Sequence, residues 1–261
     1  MVNKLLILSF ISIVFTGCFS NKEKISSSEI FKTLNVSKTG IDFENLLSYR
    51  TELNIIEYLY YYNGGGVAIG DINNDGLEDI YFAGNQVSDQ LYLNLGNLQF
   101  KNISIESGIT SDNSWSSGVT MEDINGDGYL DIYVSKVSPA SPQAVKNRLY
   151  MNNGDLTFTE KANEFGLDFT GFSTQATFFD YDRDGDLDMY LLNHAIHTVR
   201  SYGTAKKRME SDSLSGDRFF ENKLNERDKK FIDVTKSSKI YDTPLGYGLA
   251  VTTTDINNDG F

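Results

Sequence analysis

Asp71-Ile-Asn-Asn-Asp-Gly-Leu-Glu-Asp79, Asp123-Ile-Asn-Gly-Asp-Gly-Tyr-Leu-Asp131 and Asp180-Tyr-Asp-Arg-Asp-Gly-Asp-Leu-Asp188 are three copies of one nine-residue pattern, and Asp255-Ile-Asn-Asn-Asp-Gly-Phe261 starts a fourth. Side-chain oxygens stand at positions 1, 3, 5 and 9, and glycine at position 6. Alternate residues of a tight loop can point inward. Asp71, Asn73 and Asp75 then converge, as do Asp123, Asn125 and Asp127, Asp180, Asp182 and Asp184, and, in the last copy, Asp255, Asn257 and Asp259. Leu77, Tyr129 and Asp186 at position 7 can each add a backbone carbonyl, and Asp79, Asp131 and Asp188 close the set. The glycine allows a sharp turn through positive φ. An all-oxygen cage of this kind suits Ca²⁺, which takes about 6–8 oxygen ligands, better than Mg²⁺, which keeps its waters and a strict octahedron. Zinc prefers Cys and His, and the loops hold neither.

The elements that must carry these loops are strands. An EF-hand would need a Glu at position 12 and helical flanks; position 12 here is Phe82, Val134 and Leu191. The flanks Gly66-Val-Ala-Ile-Gly70, Ile80-Tyr-Phe82, Val119-Thr-Met121 and Ile132-Tyr-Val134 are rich in β-branched and aromatic residues, a strand signature. A third strand reads Leu91-Tyr-Leu-Asn94, Leu149-Tyr-Met-Asn152 and Phe219-Phe-Glu-Asn222, and a fourth starts at Phe100, Phe158 and Phe231. The sequence therefore predicts an all-β fold of four-stranded units, A to D, with the cation loop in each A–B turn. The loops begin 52, 57 and 75 residues apart. Four-stranded units repeated in this way predict a β-propeller, about three and a half blades of it. Because propellers close with typically 4–8 blades and Phe261 falls inside a loop, the chain reads as a fragment or truncated gene of a longer propeller.

Gly64-Gly-Gly-Val-Ala-Ile-Gly-Asp-Ile-Asn-Asn-Asp-Gly76, Trp115-Ser-Ser-Gly-Val119 and Phe178-Phe-Asp-Tyr-Asp-Arg-Asp-Gly-Asp186 resemble the FG-GAP/VCBS repeat family, whose calcium-loaded blades also occur in integrin α-chains. More narrowly, the chain resembles bacterial lipoproteins that join such repeats to an ASPIC/UnbV domain, relatives of cartilage acidic protein. The resemblance runs from about Thr39 to the end and includes no ASPIC/UnbV segment. It implies a calcium-binding extracellular or envelope protein.

The start of the chain adds an address. Lys4 supplies a positive n-region, Leu5 to Phe15 an apolar stretch, and Phe15-Thr-Gly-Cys18 a small-residue cleavage site. The stretch is shorter than the ~20 residues a membrane-spanning helix needs. Residues 1–18 read as a signal peptide ending in a lipobox whose Cys18, the only cysteine, is lipidated and anchors the protein to the bacterial, outer, membrane. Residues 19–38 are polar and read as a tether, leaving 39–261 for the propeller.

Thirty-six acidic against 23 basic residues give a net charge of −13, which disfavours nucleic acid, since phosphate contact wants basic stripes. No nucleophile elbow, P-loop, dinucleotide fingerprint or catalytic cysteine is present, so an enzyme is not expected. The B–C loops at the end opposite calcium differ greatly in length, the third running from Asn193 to Asp217. Loops on a rigid scaffold carry binding functions, which makes that end the candidate ligand face, with Trp115, His194, His197, Arg200 and Tyr202 on it. The expected function is a non-catalytic binding or adhesion module for a protein or glycan at the cell envelope. The alternatives are the propeller of a polysaccharide-acting enzyme and a scaffold for a C-terminal ASPIC/UnbV-like domain.

Overall fold

A computed structural model describes residues 31–109, 114–139, 144–195, 209–226 and 229–257. The chain divides into a unit of residues 1–34, of which 31–34 are described, and a unit of residues 35–261 that holds every strand. Cys18, His197, Arg200, Tyr202 and Asp259 lie outside the described residues. Among the described residues no helix is long and apolar enough to cross a membrane.

The fold is all-β, three four-stranded antiparallel sheets with two helical turns, α1 (Val36–Thr39) and α2 (Ala162–Phe165). The first sheet is β1 (Val67–Gly70), β2 (Asp79–Phe82), β3 (Gln90–Asn94) and β4 (Phe100–Asn102). The second is β5 (Trp115–Glu122), β6 (Asp131–Val137), β7 (Arg148–Asn152) and β8 (Phe158–Glu160); the third is β9 (Ser173–Phe179), β10 (Asp188–Asn193), β11 (Arg218–Asn222) and β12 (Phe231–Asp233). Each is a meander in chain order, as the A-to-D reading of the sequence requires. These are the blades of a partial propeller.

The blades stack face to face. Strand β6 is buried along its whole length, because its alternate residues serve two cores. Ile132 and Val134 pack with Tyr81 and Leu91 of the first blade, while Tyr133 packs with Phe178, Met189 and Phe220 of the third. That is why the strand reads as a continuous apolar run rather than an alternation. The inner strands touch backbone to backbone: a Cβ on Gly66 would sit 2.8 Å from the Val119 nitrogen. Ser117 Oγ donates to Ser173 O at 2.6 Å and Thr120 Oγ1 to Ala176 O at 2.7 Å, tying β5 to β9. Beyond β9, Thr174 Oγ1 donates to Gly248 O at 3.2 Å and Ala195 N to Gly246 O at 2.6 Å, so the chain of the fourth repeat runs alongside the third blade.

The end away from the Asp-rich loops is clasped by one residue per blade. Asp89 accepts from Tyr81 Oη at 2.9 Å and from Gly84 N at 2.7 Å. Asn147 accepts from Lys136 N at 2.8 Å and donates to Tyr133 Oη at 2.9 Å. Asp217 accepts from Tyr190 Oη and Asn193 N, both at 2.8 Å. In the first blade this clasp reaches its neighbour: Ser116 Oγ donates to Asp89 Oδ2 at 2.9 Å, and the buried Lys136 ammonium lies 3.7 Å from the same oxygen.

The segment before the first blade also packs on it. Phe43 stacks on Phe82 at 4.9 Å, and Tyr58, Tyr60 and Tyr61 form a third core with Trp115, Val137 and Phe172. The compact unit begins at Asn35, whose Oδ1 caps α1 by accepting from Ser37 N at 2.8 Å.

Candidate metal centre

Each Asp-rich loop joins strand A to strand B, at one end of its blade. Three features of the pattern shape it. The position-6 glycines, Gly76, Gly128 and Gly185, sit at φ of 85°, 91° and 92°, in the left-handed region. The position-1 carboxylate takes the turn's amides: Asp71 accepts from Asp75 N at 3.1 Å and Gly76 N at 2.6 Å, Asp123 from Asp127 N at 2.9 Å and Gly128 N at 2.8 Å. Position 3 converges on the same place, since Asp75 N also donates to Asn73 Oδ1 at 3.3 Å and Asp127 N to Asn125 Oδ1 at 3.0 Å. The oxygens of positions 1 and 3 are thereby brought together around one backbone amide.

Position 9 does something the motif does not announce. Asp79, Asp131 and Asp188 are about 1 %, 0 % and 1 % exposed, on the edge of the core. One oxygen of each accepts from the position-2 amide, Ile72, Ile124 or Tyr181, at 3.0, 3.1 and 3.1 Å. The other accepts from the amide of the Asn that ends strand C, Asn94, Asn152 or Asn222, at 2.7, 2.8 and 2.8 Å. That Asn also donates to the position-8 carbonyl, Glu78, Leu130 or Leu187. Position 9 therefore pins the loop to the third strand of its blade, and in the third loop Asp188 also lies beside Asp180 and Asp182. The recurring Asn94, Asn152 and Asn222 were the signal for it.

In the third loop Asp180, Asp182 and Asp188 bring carboxylate oxygens within 4.8 Å of one another. Burial raises the Asp186 carboxyl, and the Asp184 carboxylate beside it raises it further. Like charges gathered this closely repel one another, and a bound cation would relieve that repulsion. The donors are all oxygen, from Asp and Asn, so the residues present fit a hard divalent ion and Ca²⁺ in particular. When bound, such an ion would serve as a structural cross-link, held by Asp71, Asn73, Asp75 and Asp79, by Asp123, Asn125, Asp127 and Asp131, and by Asp180, Asp182, Asp184 and Asp188. Asp255 and Asn257 of the fourth loop are exposed.

The family model for FG-GAP-like repeats matches residues 71–134 and 140–191. These are FG-GAP-like repeats. The first matched segment runs from the first Asp-rich loop into β6, the second from before β7 to β10. The FG-GAP unit is thus phased across neighbouring blades, each segment spanning one inter-blade interface. No curated protein matches the chain.

Burial pushes Asp131 up to about 7; the amides of Asn152 and Ile124 oppose this, and the Asp127 and Asp123 carboxylates add to it. Asp188 is pushed up to about 6, again chiefly by burial. A carboxyl whose folded pKa is raised favours the fold at low pH and loses that contribution as pH climbs from about 4 towards 7. A cation demands the ionised form and displaces the proton. Calcium affinity of these FG-GAP loops is therefore expected to rise between about pH 5.5 and 8, with protons released on binding. Titration calorimetry in buffers of different ionisation heat checks this; an affinity flat across that window contradicts it.

At the opposite end, Trp115 is 4 % exposed, edge-on to Tyr58 at 5.4 Å. His194 is 1 % exposed, with its ring 3.9 Å from that of Tyr60 and its Nδ1 3.2 Å from Thr174 Oγ1. Burial lowers His194 to about 3, so the imidazole is neutral. Both residues line a cavity of about 460 Å³ together with Tyr58, Tyr60, Asn63 and Gln175. Tyr58 and Tyr60 carry no repeat signal in the sequence, since they precede the first blade.

Proposed function

We propose that this protein is an exported, calcium-stapled FG-GAP module that binds a protein or glycan at the bacterial cell envelope without turning it over, held there through lipidated Cys18. The observation that carries this reading is the contrast between the two ends of the blades. At one end the three A–B turns have the same length and the same position-9 bonds to the position-2 amide and to the Asn that ends strand C, as cross-links do. At the other the B–C connections run from Gly84 to Asp89, Lys136 to Lys146 and Asn193 to Asp217. A cavity of about 460 Å³ opens among the inner strands with aromatic and amide side chains on its wall, within the size range of ligand clefts. Extracellular calcium modules bind at about 10⁻⁴–10⁻³ M, matched to an exported protein.

The purified protein, applied to glycan arrays and to isolated envelope proteins in calcium and in EDTA, tests the proposal. Saturable binding that EDTA abolishes, with no product released from the bound glycan, is expected. Turnover of a polysaccharide would replace the binding module with an enzyme.

A further inference from the structure

The first two Asp-rich loops are joined to each other, whereas among the described residues the same joints are not formed between the second and the third. Asn152, which ends strand C of the second blade, donates its Nδ2 to Ile72 O of the first loop at 2.8 Å, while its backbone N donates to Asp131 Oδ1 at 2.8 Å. Ile72 N in turn donates to Asp79 Oδ2 at 3.0 Å. Two residues, Asn152 and Ile72, therefore connect the position-9 carboxylate of the first loop to that of the second. A separate bond crosses nearer the tips: Asn74 Nδ2 donates to Gly128 O at 3.0 Å.

Neither bond recurs at the next interface. The residue equivalent to Asn74 in the second loop is Gly126, which has no side chain to reach the third loop. Asn222, the equivalent of Asn152, makes the same bond to its own loop, to Leu187 O, as Asn152 makes to Leu130 O, but among the described residues it makes no second bond to Ile124 O of the second loop. The third loop has its own carboxylates already gathered.

We infer that the first and second loops fill with calcium as a cooperative pair, while the third fills independently. This rests on the calcium reading above. An ion in either loop fixes the peptides that its neighbour also uses. The ordering cost of those peptides is then met once for both sites. Coupling between sites of this kind typically changes affinity by about 5-fold or more.

Backbone amide resonances of Gly76, Gly128 and Gly185, one per loop, report occupancy during a calcium titration of the whole chain. Gly76 and Gly128 should move at one calcium concentration. Asp127→Ala, which disables the second loop from an exposed position, should weaken the first loop by about 5-fold or more and leave the midpoint of Gly185 in place. Asn74 sits at φ 59°, so Asn74→Gly keeps the turn, removes the crossing bond and should shrink that effect. A Gly76 midpoint unmoved by Asp127→Ala, or an effect undiminished by Asn74→Gly, overturns the coupling while leaving calcium binding intact. If none of the three glycines responds up to about 10 mM, above the range of weak modular sites, the calcium reading itself fails.

Discussion

Asp131→Asn should destabilise the protein by about 1–3 kcal/mol, in EDTA as well as in calcium, because this carboxyl group is two things at once. Its two oxygens accept from Ile124 N and Asn152 N in a site with no solvent exposure. A buried backbone donor left unmatched costs about 1–3 kcal/mol. The amide of Asn would turn an NH₂ towards one of those backbone N–H groups. Against a typical total stability of about 5–15 kcal/mol, this is a large loss. Asp127→Ala makes the contrast. Asp127 is exposed at the loop tip, so in EDTA its removal should cost under about 1 kcal/mol, and its main effect should be to abolish what calcium adds. Glu122→Ala, beside the loop, should leave the calcium response unchanged. Urea unfolding of the three variants with and without calcium separates them. Equal destabilisation by Asp131→Asn and Asp127→Ala in EDTA would show that position 9 has no role beyond the cage.

Calcium removal should be the other large effect. A ligand that binds only the folded state adds RT ln(1 + [L]/Kd), about 2.7 kcal/mol per site at a hundredfold excess over Kd. The three complete loops would together contribute several kcal/mol. For a chain of this size about 1 kcal/mol moves the melting temperature by about 2–4 °C, so EDTA should lower it by on the order of 10 °C or more and calcium should restore it. The third loop should give the largest share, since Asp182 replaces the neutral Asn73 and Asn125 and raises the carboxylate count. Asp182→Asn should therefore bring the calcium-dependent gain of the third loop down towards that of the other two, whose position 3 is Asn. A melt indifferent to chelation would remove the metal from the account.

Much of this architecture is legible in the sequence, because the features that specify it are local and repeated. Nine residues with oxygens at fixed offsets and a glycine at the bend define each A–B turn. The runs around Ile80, Ile132 and Met189 define strand B, and the phenylalanines at 100, 158 and 231 mark strand D; all fall in strands or at their starts. What stayed hidden depends on residues far apart in the chain. The clasps at the opposite end pair Tyr81 with Asp89, Tyr133 with Asn147 and Tyr190 with Asp217, across B–C connections of different length, so no fixed spacing reveals them. The crossing bond from Asn152 to Ile72 spans 80 residues. The tyrosines at 58, 60 and 61 belong to no repeat, and only the packed structure places them against Trp115. His194 reads in sequence as a residue of the third B–C connection, yet it follows directly on β10 and is drawn into the aromatic core, with its backbone N donating to Phe172 O at 3.0 Å. A loop assignment from composition alone misses such a residue because its burial is decided by tyrosines far off in the chain, Tyr58 and Tyr60.

Calorimetric titration of the protein with calcium tests the central claim most directly. Saturable binding of one ion for each of the three complete loops, with protons released below about pH 7, is the expected result. Heats no different from buffer dilution at any calcium concentration would mean that the loops are bare Asx turns held by their own hydrogen bonds, and the stapled-blade account would be wrong.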